Sequence, residues 1–217
     1  MNEPARPDAL ARLKAFWNSR YAKAGVEYVY GTEPNAFLVQ ALAALPRAGD
    51  VLCLADGEGR NSVWLARQGF RVSAIDVAEE GVAKALALAK REGVSVDARV
   101  ADVTRHDFGV GGYDAIVSIF LHLPAKARRA MHRRAIEALK PGGVFVFEAY
   151  GPKQPGYRTG GPPEPELLHP LADVLADFEG CAIERAFEGV RDVREGAAHT
   201  GDGYVVQVIA RRRGSPA

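Results

Sequence analysis

The strongest constraint in this sequence is an alternation. Five short runs rich in apolar residues, VLCLA (51–55), FRVSAID (70–76), VSVDARVAD (94–102), YDAIVSIF (113–120) and VFVFEAY (144–150), are separated by segments of helical periodicity. A strand with one wet face alternates apolar and polar residues, whereas a strand covered on both faces reads as a nearly continuous apolar run. The pattern therefore predicts a parallel sheet covered by helices on both sides, with right-handed crossovers.

The intervening segments supply those helices. Arg60 to Gln68 reads as a helix stopped by Gly69. Glu79 to Arg91 carries Val82, Ala85, Leu86 and Ala89 on one face and ends at Gly93. Pro124 opens another, with a stripe of Ala127, Met131, Ala135 and Ala138, Arg129 and Arg133 on the opposite side, and PGG (141–143) expected to break it. Ahead of the first strand, residues 7–21 predict a helix carrying Leu10, Leu13, Phe16 and Trp17, and AFLVQALAAL (36–45), ended by Pro46, predicts a second. After the fifth strand, GPKQPGYRTGGPPEPE (151–166) is long for a connector. It reads as a lid over the carboxyl edge of the sheet or as a mobile linker. A helix over LLHPLADVLADF (167–178) and strands CAIERAFEGV (181–190) and GYVVQVIARR (203–212) follow.

A chain of 217 residues suits one well-buried core. Residues 1–217 are expected to form a single domain, with 1–45 as an N-terminal helical cap and 151–166 as the lid. The net charge of +1 gives no global attraction to nucleic acid or anionic lipid. The arginines at 128, 129, 133, 134 and 211–213 read as solvated faces. No apolar run approaches the roughly 18 residues of a membrane span, and MNEPARPDALARLKAFW lacks the apolar core of a signal peptide. A cytoplasmic protein without nucleic acid or membrane as partner is expected. Cys53 and Cys181 make no metal-ligand spacing, so no metal is expected, and Cys53 reads as a core residue.

The first strand runs into VLCLADGEGRN (51–61). In open α/β sheets, ligands bind outside the carboxyl ends of the strands, where strand order reverses. Gly57 and Gly59 allow a sharp turn and close ligand approach. The helix starting near Arg60 offers unpaired N–H groups and a partial positive charge. The loop by itself fits either a dinucleotide, with Ser62 at the third position of G-x-G-x-x-G, or S-adenosylmethionine. Asp76 closes the second run, where a carboxylate can accept from ribose hydroxyls; a helix-capping Asp is the alternative. Asp102 closes the third, where it can accept from an adenine amino group with Val103 on the ring; a turn-forming Asp is the alternative.

Taken with RYAKAGVEYVYGTEPNAFL (20–38), LADGEGRNSVWLARQGFRVSAID (54–76), YDAIVSIFLHLP (113–124), ALKPGGVFVFEAY (138–150), TGGPPEPELL (159–168) and EGAAHTG (195–201), the chain resembles the class I S-adenosylmethionine-dependent methyltransferases. It is most similar to the small bacterial branch of tellurite-resistance-like and thiopurine-methyltransferase-like enzymes. The resemblance implies an α/β, Rossmann-like, doubly wound seven-stranded sheet in the order 3-2-1-4-5-7-6, with strand 7 antiparallel. It implies S-adenosylmethionine as cofactor, S-adenosylhomocysteine as product and a small-molecule methyl acceptor. The cofactor residues it points to are Ala55, Gly57 and Gly59 for the methionine part, Asp76 and Val77 for the ribose, Asp102 and Val103 for the adenine, and Ser118 and Ile119 beside the sulfonium. The aromatic group Trp17, Tyr21, Tyr28 and Tyr30 reads either as a substrate wall or as core packing.

His122 and His199 are candidate bases, His122 also lining the substrate side, and no residue is assigned as catalytic. SIFLHLP (118–124) is not the Asn-Pro-Pro-aromatic signature of nucleobase amino methylation. Two positions depart from the family pattern. Cys53 stands where an acid usually helps to hold the cofactor's amino group, and Ala55 stands where glycine is usual; Asp56 and Glu58 are the nearest acids that could compensate. A non-catalytic cofactor-binding protein and a nicotinamide-dependent oxidoreductase are the competing readings.

Overall fold

A computed structural model describes residues 9–196 and 199–214. Its seven strands are β1 Asp50–Leu54, β2 Arg71–Asp76, β3 Val96–Val100, β4 Tyr113–Ile119, β5 Leu139–Tyr150, β6 Cys181–Arg194 and β7 Thr200–Arg212. Its helices are α1 Ala9–Lys23, α2 Ala36–Ala41, α3 Arg60–Arg67, α4 Glu79–Arg91, α5 Ala125–Ala138 and α6 Leu171–Ala176. The sheet order is β3-β2-β1-β4-β5-β7-β6. The first five strands are parallel, and β7 runs antiparallel between β5 and β6. Order and direction are those the family resemblance implied.

Burial explains the continuous apolar runs. Val51 and Cys53 of β1 join Ala115, Val117, Val144 and Val146 in one core layer, capped by Phe37, Leu65 and Leu88 from α2, α3 and α4. Leu52 and Leu54 face the other way, with Ile116, Phe145 and Phe147, against Met131 and Ala135 of α5 and Val174 and Phe178 near α6. Each fully buried side chain of this size contributes about 1.5–3 kcal/mol. Both faces of the central strands β1, β4 and β5 are thus dry, whereas the edge strand β3 keeps Asp97 and Arg99 exposed.

Several boundaries differ from the sequence expectations. β3 stops at Val100 rather than Asp102, because the Asp102 carboxylate accepts from the Thr104 N–H (2.8 Å) and hydroxyl (2.7 Å) and turns the chain. PGG does not break the chain between helix and strand. It lies inside β5, where the register with β4 jumps from Tyr113↔Leu139 to Ala115↔Val144 around Gly142 at φ +81°. The helix expected over 167–178 shrinks to α6, since Pro170 disfavours helical backbone before it. The second helix ends at Ala41 and tightens into a 3₁₀ turn, Leu42–Ala44. Residues 7 and 8 of the expected first helix lie outside the described residues. No described helix is long and apolar enough to cross a membrane.

The arginine cluster needs the largest correction. Arg129 and Arg133 are exposed, but Arg128 is 3 % exposed. It lies on the same helical stripe as Met131 and Ala135 and pairs with Asp177 at 2.6 Å, while Asp177 also meets His132 Nδ1 at 2.8 Å. Arg211 likewise ties Glu184 to the carbonyls of Ala44 (3.0 Å) and Gly142 (2.8 Å). Removing one partner of a buried ion pair strands the other charge. Arg128→Ala is expected to cost about 3 kcal/mol in urea unfolding, and Arg133→Ala less than about 0.5 kcal/mol.

Candidate functional site

The chain leaves β1 outward through β2 and β3, then returns to β4 on the other side of β1. The carboxyl ends of β1 and β4 are therefore the switch point at which such sheets bind ligands. The glycine loop emerges there. Its backbone takes three left-handed residues, Ala55 (φ +51°), Gly57 (φ +60°) and Gly59 (φ +90°). Gly59 begins α3, and a Cβ on it would meet Ala85 Cα at 2.7 Å, so the close packing of α3 on α4 demands glycine. Ala55 adopts the same class of conformation without that freedom.

Asp76 holds the loop in shape. Its Oδ2 accepts from the Gly57 N–H at 2.9 Å and its Oδ1 from the Ala78 N–H at 2.8 Å. Asp56 accepts from the Ser62 hydroxyl and, at 3.3 Å, from the Ser62 N–H. Desolvation, aided by the Asp76 charge and opposed by Ser62, pushes the Asp56 carboxyl up to about 7. Burial likewise raises Asp76. Glu58 is committed differently: it pairs with Lys84 (2.8 Å) and accepts from the N–H groups of Val29 (2.8 Å) and Tyr30 (3.4 Å). Cys53 sits in register with Ala74 and Val117, 1 % exposed, and burial raises its thiol well above its ordinary value.

Helix α1 lies over this loop. Lys14 and Asn18 grip the first turn of α4, through Glu79 and the Glu80 N–H. Tyr21, 4 % exposed, places its hydroxyl where a Cβ on Gly57 would stand, 2.7 Å away. Trp17 stacks on Tyr21 at 5.6 Å between ring centres and meets Tyr30 at 6.4 Å. Tyr28 is not part of this stack; its hydroxyl donates to the Lys84 carbonyl at 3.3 Å.

On the β4–β5 side a second group of rings converges. Phe120, at φ +54°, lies 4.6 Å from Tyr150 and 5.0 Å from His199, and Tyr30 lies 4.6 Å from His199. Desolvation, then the charge of Arg60, lowers His199 to about 4, and its Nδ1 has no partner among the described residues. His199 is neutral at pH 7. His122 is also neutral, desolvation holding it at about 3, and its Nε2 accepts the Tyr150 N–H at 3.2 Å. That nitrogen is thus occupied by backbone. Ala197 and Ala198 of EGAAHTG lie outside the described residues.

Beneath these rings lies a buried ionic network that sequence reasoning missed. Glu148 accepts from Arg191 (2.6 and 2.8 Å), Gln207 (2.7 Å) and Asn35 (2.5 Å). Glu195 accepts from Arg191 (2.6 Å), Asn35 (2.8 Å) and Arg60. Asn35 also caps α2 through the Leu38 N–H at 2.9 Å. The available signal was a polar side chain inside an apolar strand, Glu148 in VFVFEAY and Gln207 in VVQVIA.

The other expected positions are spread along the same edge. Val77 follows Asp76; Val103 is buried in the α5-side core, its carbonyl accepting from Arg134 at 2.7 Å. Ser118 is buried with its hydroxyl unpartnered among the described residues, and Ile119 packs on the opposite face. Asp102 holds its own turn, as above. The loop 151–166 is pinned by Gln154, which donates to Thr159 Oγ1 and the Gly160 carbonyl, both at 3.0 Å, and accepts the Tyr204 N–H at 2.7 Å. An open groove of about 810 Å³, lined by Asp50, Phe70, Arg71 and Tyr113 among others, lies at the opposite, amino edge of the sheet; its Asp50 is already paired with Arg71 and Lys140. No group of three or more metal-ligating side chains occurs among the described residues.

Strand order and antiparallel β7 are those of the Rossmann-like methyltransferase fold. Residues 51–143, from β1 into β5, match the family model of a methyltransferase domain. A ubiquinone biosynthesis O-methyltransferase of Paramagnetospirillum magneticum is 32% identical over 157 residues, covering 65% of this chain and 62% of that protein. The chain thus matches a little under two thirds of that relative's length. Among solved structures, an enzyme studied for the conversion of a disulfide bond into a thioacetal group in echinomycin biosynthesis superposes with a TM-score of 0.75 at 18% identity, covering 94% of this chain and 93% of that one. Magnesium protoporphyrin IX methyltransferase from Synechocystis PCC 6803, solved with bound S-adenosylmethionine, gives a TM-score of 0.67 at 18% identity, covering 97% and 100%.

A left-handed alanine costs about 1 kcal/mol relative to glycine. Ala55→Gly is expected to stabilise the protein by about 0.5–1 kcal/mol in denaturant titration. Gly59→Ala is expected to destabilise it by about 2 kcal/mol or more, because the new Cβ meets backbone of α4.

Proposed function

We propose that the protein is an S-adenosylmethionine-dependent methyltransferase acting on a small-molecule acceptor. The observation that carries this reading is a charge imbalance. The buried carboxylates Glu58, Glu148, Glu195 and Asp177 each face a cationic side chain within 4 Å. Asp56 and Asp76, side by side under the glycine loop, form no ion pair among the described residues. A ligand carrying positive charge fits that floor, and S-adenosylmethionine carries an ammonium and a sulfonium. The pyrophosphate of a nicotinamide dinucleotide would meet two carboxylates there, which disfavours the oxidoreductase reading.

When bound, the cofactor supplies a methyl group already activated on sulfur. The chain's task is then orientation and exclusion of water. Gly57 and Gly59 let the backbone come close, and Asp76 keeps acceptor capacity for ribose hydroxyls beyond its two N–H partners. Asp102 and Val103 stand on the adenine side, Ser118 and Ile119 beside the sulfur. The rings of Trp17, Tyr21 and Tyr30 close the pocket from α1, as the N-terminal cap, and the pinned 151–166 loop closes it from β5. His199, neutral and with Nδ1 unpartnered among the described residues, would exchange one hydrogen bond with the methyl acceptor. The kinship with the tellurite-resistance-like branch and a cytoplasmic location belong to the same proposal, supported by the quoted motifs and the chain's near-neutral charge.

The test is ligand-dependent stability. S-adenosylhomocysteine at about 100 times its Kd should add about 2.7 kcal/mol to unfolding, and NAD at equal concentration should add nothing. Stabilisation by NAD alone would overturn the reading; binding without turnover over a broad acceptor panel would favour the non-catalytic alternative.

A further inference from the structure

We propose that Asp56 receives the ammonium group of the methyl donor, taking the role that Cys53 leaves empty. The proposal rests on the methyl-donor reading above and deepens it.

Three acids or acid positions compete for this role, and two are eliminated by geometry. Cys53 lies in the middle of the sheet between Ala74 and Val117, sealed from any ligand and uncharged. Glu58 has spent both oxygens, one on Lys84 and the other on the Val29 and Tyr30 N–H groups. Asp56 remains. It follows the left-handed Ala55, which turns the chain off β1 toward the carboxyl edge. Asp56 is half-buried as a residue, whereas Cys53 is sealed within the sheet. A carboxylate offers about four acceptor positions, and Ser62 fills two of those on Asp56.

The surroundings of Asp56 lack a committed cation. Asp76 from β2 repels it. Arg60 from α3 attracts it but is already paired with Glu195. Tyr21 from α1 and Cys53 from β1, both raised by burial, stay neutral. Free Asp56 is consequently divided between its protonated and ionised forms near neutral pH, with the carboxyl at about 7. An arriving ammonium needs the ionised form. Below that value the carboxyl must release its proton to solvent as the ion pair forms, so donor affinity rises with pH. The sign follows from linkage: the bound state holds fewer protons than the free state.

Calorimetry separates this from a structural role. S-adenosylhomocysteine is compared with 5′-methylthioadenosine, which keeps the adenosine and thioether but lacks the amino-acid end. For the wild-type protein, S-adenosylhomocysteine should bind about 10-fold tighter at pH ~8 than at pH ~6, and release about one proton at the lower pH. Methylthioadenosine should bind with the same affinity at both. Asp56→Asn should weaken S-adenosylhomocysteine at pH ~8 by about 10-fold or more, flatten its pH dependence and leave methylthioadenosine within about 2-fold. A flat wild-type profile, or equal losses for both ligands in the variant, would overturn the role of Asp56 while leaving the donor reading standing. Failure of both ligands to bind the wild-type protein would overturn the donor reading itself. The wild-type pH profile needs no variant, so misfolding of Asp56→Asn would not mask the result.

Discussion

Glu148 carries its charge into the apolar run Val144–Tyr150 of β5, and at 0 % exposure it must be neutralised from within. Arg191 reaches it from β6, Gln207 from β7 and Asn35 from the start of α2. Arg191 and Asn35 then also hold Glu195, which in turn holds Arg60 at the start of α3. One buried charge thereby fixes where the β6–β7 hairpin meets the glycine loop. The position of His199, among the rings of Tyr30, Phe120 and Tyr150, follows from this anchoring, since its carbonyl accepts the Glu195 N–H at 2.7 Å. Tyr30 reaches His199 from the other side, its N–H held by Glu58 of the glycine loop.

Two regimes of buried charge coexist at the carboxyl edge. In the Glu148–Arg191–Glu195–Arg60 group acids and bases are interleaved, and Arg60 Nη1 is its one buried donor without a partner among the described residues. Such groups contribute geometric specificity more than net stability. The Asp56–Asp76 pair is held only by backbone N–H groups and the Ser62 hydroxyl. Both carboxyls are raised by desolvation, so the free protein carries an electrostatic deficit at one place. The loop is the part that a ligand would complete.

The architecture was legible in the sequence because it depends on burial, and burial writes itself as continuous apolar runs. Helix α4 begins and ends where Glu79, Arg91 and Gly93 indicate. What was not legible depends on side chains meeting across long separations. Asp102 reads as a strand end until Thr104 is seen to draw it into a turn. KPGG reads as a break, yet Leu139 already pairs with Tyr113 before it. Arg128 reads as surface until its place on the Met131–Ala135 stripe is weighed against a buried Asp177 in another helix's cap. At the site, the glycines, Asp76 and the aromatic residues of α1 could be singled out by type and spacing. Their division of labour could not: nothing local distinguishes Glu58, fully engaged, from Asp56, two residues earlier and without a cation.

β6 is fourteen residues long and forms the open edge of the sheet. Its Arg191, with Glu195 just beyond the strand, builds the network, while Glu184, Arg185, Asp192 and Arg194 stand exposed along the strand. A free edge of this length is a template for unwanted pairing with another chain, and interleaved charges oppose the flat, dry contact that such pairing needs. The strand that organises the interior thus also serves as the molecule's guard against aggregation.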